Sequence, residues 1–334
     1  MSGGNEPRVR QTARASGIAI AAMAALLFPA VAFAGPVDLA YLYDLSDFTG
    51  VIPYSDARVV VDPHHSEAYM LYGNEVRVFN DSGMEIYRFQ LDLSIGRIVD
   101  LAAASSGDLV MLIYDASGGG RTRWWLERTD FRGRPVGEIV IEQTGDAAEM
   151  LPTRVLLRAE RTWLISQSQM RAACYQPGGK LERVLDLAEL AGIPPDERAN
   201  VEVSGLDIGA DGTVVFAVPV QFMVHALDPG GGVRSFGRSG SAAGNFGVLG
   251  DVALDGEGNI FVSDRQRSVV MSFTRDFQFL REAGRIAGGA WLARPGGLAF
   301  DPAGRLYVSQ VRDRGVAVFT TGPPPEHRTD PARP

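Results

Sequence analysis

A 46-residue interval through the second half of this chain constrains its fold more than any other feature. Leu249 to Ser263 reads LGDVALDGEGNIFVS, and Pro295 to Ser309 reads PGGLAFDPAGRLYVS. Leu254 and Phe300 mark the same place in the two copies, and the pairs Val270/Val316 and Phe273/Phe319 extend the match at the same offset. Working backwards, Ile208, Gly212, Phe216, Val224 and Leu227 stand 46 before Leu254, Gly258, Val262, Val270 and Phe273. A period of this length belongs to repeat architectures, whose units bury their apolar faces only against their neighbours.

Each unit reads as three short strands and a less regular fourth. Asp301-Pro302-Ala303-Gly304 has the chemistry of a hairpin turn, with proline presetting φ and glycine free to take it positive. The runs Ile260-Phe261-Val262 and Leu306-Tyr307-Val308 are apolar on both faces, as a strand needs when a sheet lies on either side. Four-stranded sheets stacked face to face in this way are the blades of a propeller. Counting the place of Leu254 along the chain gives Val61, Ala103, Leu156, Ile208, Leu254 and Phe300, hence six units. The expected fold is all-β, a six-bladed β-propeller of four-stranded antiparallel blades. Leu185 to Ala199 reads as a short helix and loop inserted between blades, and Gly118-Gly119-Gly120 as a lengthened loop. The last unit supplies only three strands before Gly322-Pro323-Pro324-Pro325, so Val37 to Tyr43 is expected to close the ring as its fourth strand.

Three arginines, Arg8, Arg10 and Arg14, precede an apolar run from Gly17 to Ala34 that ends in Ala32-Phe33-Ala34. This is the layout of a secretory signal peptide over 1-34, leaving the propeller over 35-322 and a disordered proline-rich tail over 323-334. No cysteine follows the cleavage site to take a lipid, so no stable membrane insertion is expected after cleavage, and the destination is secreted or periplasmic. Cleavage removes three arginines and one glutamate from 32 basic and 40 acidic side chains, taking the net charge from −8 to −10. Such a chain lacks the basic face that nucleic acid requires. Cys174 is the only cysteine and sits in an apolar third strand, so it reads as an inert buried thiol.

The units Gly250 to Phe273 and Gly296 to Phe319 resemble NHL repeats: a G-x-x-x-D-x-x-G opening, a hydrophobic strand, and a V-x-x-F strand. The resemblance is specific in the last three units, fair in the first two and weak in the third, and the Asn-His core of the motif is absent. It implies a six-bladed propeller, in agreement with the count of units. It does not imply one function, because such propellers include binding modules, lactonases and an amidating lyase.

Candidate chemistry is sparse. His64, His65, His225 and His327 occupy unrelated places in their units, which does not suit a histidine-held zinc. Oxygen ligation of calcium stays open, although Asp255 and Asp301 stand where turn-capping residues belong. There is no G-x-S-x-G and no C-x-x-C-H, and no cofactor is expected. The inner-strand positions that align, Val252, Ala253, Leu254, Leu298, Ala299 and Phe300, are apolar, so the channel is expected to be apolar as well. The segments between second and third strands emerge on one face and differ from unit to unit. They offer Asp264, Arg265, Arg267, Gln310, Arg312, Arg314, Gln167 and Tyr114 as binding residues, and the four arginines are expected to form one basic patch. These features favour a monomeric, non-catalytic scaffold or accessory subunit for another envelope or extracellular protein. The alternative is a lactonase-like hydrolase or lyase with an oxygen-ligated metal in the channel.

Overall fold

The computed structural model of the chain describes residues 39–62, 64–92, 96–115 and 123–321; the signal peptide, the Gly118-Gly119-Gly120 loop and the tail expected from the sequence lie outside the described residues. The described residues form six four-stranded antiparallel sheets. The inner strands are Arg58–Val61, Arg97–Ala103, Arg154–Arg158, Gly205–Ile208, Leu249–Leu254 and Leu298–Phe300. In the first five blades the chain meanders outwards from the inner strand to a less buried fourth strand.

Six apolar clusters, one between each pair of successive blades, make the ring. Phe216 and Ile208 of the fourth blade pack on Trp163 and Ile165 of the third. Tyr307 and Val318 of the sixth pack on Val59 and Met70 of the first, so the ring closes on itself. A sheet buried on both faces needs strands without polar alternation, and the second strand Ile260–Asp264 is accordingly buried throughout. Closure uses the N-terminal segment, as expected. Ala40–Asp44 pairs antiparallel with Val316–Thr320, with a bulge between Tyr41 and Tyr43. The covering of that seam continues through Leu45 and Ile52, both fully buried between the last and first blades.

The third blade departs from the repeat because its first turn is shorter. Arg158 pairs directly with Arg161, and Ala159 and Glu160 both take positive φ in a two-residue hairpin. Elsewhere that turn has more residues, as between Leu254 and Ile260. The insertion after the third blade contains one helical turn, Leu187–Leu190, whose first N–H groups are capped by Asp186 accepting from Glu189 N at 2.9 Å.

An antiparallel meander puts its loops on two faces. Turns joining first to second and third to fourth strands lie on one, called here the turn face. Loops joining second to third strands, together with the links between blades, lie on the other, the cleft face.

Candidate functional site

On the cleft-face side the channel is plugged by charge. Arg58 Nε donates to Asp100 Oδ1 at 2.9 Å, and its Nη1 stands 3.9 Å from Asp251 Oδ2. From across the channel Arg154 Nη1 reaches both oxygens of Asp251 at 3.0 Å. Further along, Arg158 Nη2 lies 3.1 Å from Asp207 Oδ1. The apolar channel expected from the sequence is therefore wrong: Arg58, Asp100 and Asp251 occupy equivalent places near the start of their strands, a position that the aligned apolar residues do not reach. Burial opposes the charge on Arg58, but Asp100 and Asp251 outweigh it and hold the guanidinium above its ordinary range.

The carboxylates also stitch blade to blade. Asp100 accepts from Val155 N (2.9 Å), Asp207 from Leu254 N (2.9 Å) and Asp251 from Leu298 N (3.2 Å), each across to the next inner strand. Gly205 makes room for this: a Cβ there would lie 2.3 Å from Asp251 Oδ1 and 2.5 Å from Val252 N. The repeat serines serve the same frame. Ser263 Oγ accepts from Asp251 N and Ser309 Oγ from Gly297 N, both at 2.7 Å and 46 residues apart. Among the described residues no group of three or more His, Cys, Asp or Glu side chains is placed to hold a metal.

Beside this plug, between the first and second blades, a cleft of about 410 Å³ opens on the cleft face. Asp56, Arg58, Tyr72, Arg97, Val99 and Tyr114 line it. Tyr72 is 46% exposed, and one side of its ring stacks on Tyr54 at 4.3 Å between centroids. Tyr54 is itself clamped: its hydroxyl donates to Glu75 Oε1, and Arg77 Nε reaches the Tyr54 oxygen at 3.1 Å and Glu75 at 2.7 Å. Asp56 is held at φ 56 in left-handed backbone, its N–H donating to Gln310 O at 2.8 Å and its Oδ1 standing 3.5 Å from Arg265 Nη2.

Of the residues singled out in the sequence, the structure brings Tyr114, Arg265 and Gln310 to this place, with Asp56 linking the last two. Tyr114 lines the cleft and donates to Pro152 O at 2.8 Å. Gln310 is fully buried, its Oε1 accepting from Ala293 N at 2.9 Å. Arg312 and Arg314 are exposed on the neighbouring loop. The other three are spent within the protein. Asp264 is fully buried and accepts from the N–H groups of Gly247, Val248, Gln266 and Arg267. Gln167 joins Thr153 to the carbonyls of Val203 and Ser204. Arg267 bonds to Glu282 and to the carbonyls of Ala242 and Asn245. The four arginines thus do not form a single unpaired patch, because Arg265 and Arg267 each meet a carboxylate. Sequence reasoning missed Arg58, Arg97, Tyr54 and Tyr72 as cleft residues. The available signal was weak: Tyr72 stood in a loop already noted for its variability, but nothing in the sequence paired it with Tyr54.

His225 and Cys174 are structural. His225 lies flat on Phe216, with Nε2 at 2.9 Å from Gln221 Oε1 and Nδ1 at 2.8 Å from Ser235 Oγ. Gln221 uses its amide nitrogen on Ala191 O, so Nε2 of the histidine donates and Nδ1 accepts. Burial pushes this imidazole down to about 4. Burial pushes the Cys174 thiol up to about 11, which keeps it protonated and unreactive.

No protein-family model matches the chain, and no curated protein matches it. Solved structures do. A streptogramin B lyase is 14% identical, with a TM-score of 0.54 over 85% of this chain and 97% of that one. A catalytically inactive virginiamycin B lyase from Staphylococcus aureus, solved with quinupristin, is 12% identical, with a TM-score of 0.54 over 85% and 99%. A gluconolactonase from Xanthomonas campestris is 15% identical, with a TM-score of 0.56 over 84% and 89%. At such identities the likeness is one of fold.

Proposed function

We propose that this chain is an exported propeller of the NHL type that holds another envelope or extracellular protein on its cleft face and catalyses nothing. The observation that carries this reading is the state of the channel carboxylates. Asp100, Asp207 and Asp251 each bind a guanidinium and a backbone N–H of the next blade, so the oxygens that a metal-dependent lactonase or lyase would use are committed to holding the ring. The cleft face, by contrast, offers what interfaces use. Val220 and Trp291 are more than half exposed there, and Arg312 and Arg314 are exposed on the same face. Export is supported by the arginines, apolar run and Ala-x-Ala site of residues 1–34, with cleavage before Gly35.

The test is capture of partners from the chain's own envelope fraction by the mature protein, read by mass spectrometry. Wild type should retain a defined protein, and the triple substitution R265A, R312A, R314A should weaken retention in a salt-dependent way with the melting temperature kept. Stoichiometric calcium, together with esterase or lactonase activity abolished by chelation, would overturn the reading in favour of an enzyme.

A further inference from the structure

From the cleft between the first and second blades we infer a specific recognition pocket for an acidic peptide segment in which an aromatic ring neighbours a carboxylate; the inference rests on the binding role proposed above. Two features, one from each flanking blade, carry it. One is an aromatic platform with its own support. Tyr54 covers one side of the Tyr72 ring, so the exposed area of Tyr72 is its other side, and Tyr54 cannot swing away while Glu75 and Arg77 grip its hydroxyl. Arg77 is in turn held by Glu85 Oε2 at 2.6 Å and lies over the Tyr54 ring at 5.0 Å. A partly buried chain of charge-assisted bonds thus serves to fix one half-exposed ring, which costs a guest ring little further ordering.

The other feature is Arg97. It begins the inner strand of the second blade, where it pairs with Tyr114, lines the cleft and is exposed, and its guanidinium has no hydrogen bond or ion pair among the described residues. Arg58 differs, because Asp100 and Asp251 already neutralise it on the cleft wall. Asp56 is likewise occupied by Arg265. The unanswered charge of the cleft is therefore positive, on a protein whose net charge is −8. A guanidinium standing clear of carboxylates in a partly enclosed site is complementary to a carboxylate, and its planar fork can take both oxygens. Leu71, Ile98 and Val99 add an apolar wall that a free inorganic anion would not use. Ring on Tyr72 and carboxylate on Arg97 fit one short peptide better than a bare ion.

Titration of the mature protein with the peptide N-acetyl-Asp-Phe-Asp-amide, followed by calorimetry or ligand-observed NMR, tests this. Saturable binding is expected, about three- to fivefold weaker in R97Q and about five- to tenfold weaker in Y72A. The isosteric N-acetyl-Asn-Phe-Asn-amide should compete about three- to fivefold more weakly, and R132Q on the turn face should bind as wild type. Circular dichroism and melting temperature of each variant establish that it folds. Absence of saturable binding, or equal binding by wild type, R97Q and Y72A, would overturn the pocket. Equal binding of phenylacetate and of the peptide would overturn the peptide specificity and leave a small-molecule carboxylate site. If envelope capture persists while the peptide fails, the pocket is wrong and the binding role stands; if capture fails and the peptide binds, the reverse holds.

Discussion

The two faces of this propeller are made of the same meander and solve the same backbone problem in opposite ways. On the turn face most turns satisfy their own backbone, although Arg305 also reaches Asp81 O and Arg275 reaches Asp211 in neighbouring blades. Asp255 accepts from the N–H of Glu257 and Asn259, Asp130 from Arg132 and Arg134, and Asn80 from Ser82 and Met84. A glycine at positive φ then closes the turn, as Gly258 does onto Asp255 O at 3.1 Å and Gly304 onto Asp301 O at 3.0 Å. On the cleft face the links between blades are longer, and several residues find their partners far along the chain. Arg265 meets Asp56, Asp313 meets Ser55, and Tyr114 meets Pro152. Self-contained turns leave little that can vary without loss. Loops held by distant residues can change length and side chains while the strands below them stay put, and these are the loops that carry the cleft, Trp291 and the exposed Arg312 and Arg314.

Breaking the ring should disturb both faces together. A chain lacking residues 35–44 exposes the edge of Val316–Thr320, and it should melt at a markedly lower temperature or associate. A monomer of unchanged melting temperature, by size-exclusion chromatography and calorimetry, would refute the closure. Within an intact ring, two aspartates at opposite ends of one inner strand separate the faces. Asp251→Ala leaves Arg154 without its carboxylate and Arg58 with Asp100 alone, and should cost about 3–5 kcal/mol in denaturant unfolding. Asp255→Ala removes only local turn bonds and should cost about 1 kcal/mol. Hydrogen exchange should quicken across cleft-face loops in the first variant and only around residues 255–259 in the second.

Acid should loosen the cleft face too, through His225. Its folded value of about 4 lies below the usual histidine range near 6.5, so the folded chain prefers the neutral ring. The stability it contributes is complete above about pH 6.5 and is lost as pH falls towards 4, up to about 3 kcal/mol in all. In His225→Gln, denaturation across this window should lack that increment; an identical pH profile would refute it. A last pair of substitutions compares the faces directly. Trp291→Ala should weaken partner capture by about tenfold, whereas Phe131→Ala, on an equally exposed ring of the turn face, should leave it unchanged.

The period of 46, the glycines and aspartates of the turns, and strands apolar on both faces determined the six-bladed ring, its closing strand and its turn face. The physics of these features is local: a turn or a two-sided strand is written in four to eight consecutive residues and recurs at each unit. That is also why the third blade reads as the weakest, since its two-residue turn through Ala159 and Glu160 carries neither signal. Only the tertiary structure decided what fills the channel and which loops meet. Arg154 and Asp251 are 97 residues apart in the sequence, and Arg77 and Tyr54 are on different strands or loops with no shared motif. Ring closure brings the first pair together and packing at the first blade the second, and the low dielectric between blades makes each unpaired charge costly enough to require a partner. A charge that needs a partner across a closed ring has no periodicity of its own, so the cleft, unlike the blades that frame it, is written in no single stretch of the chain.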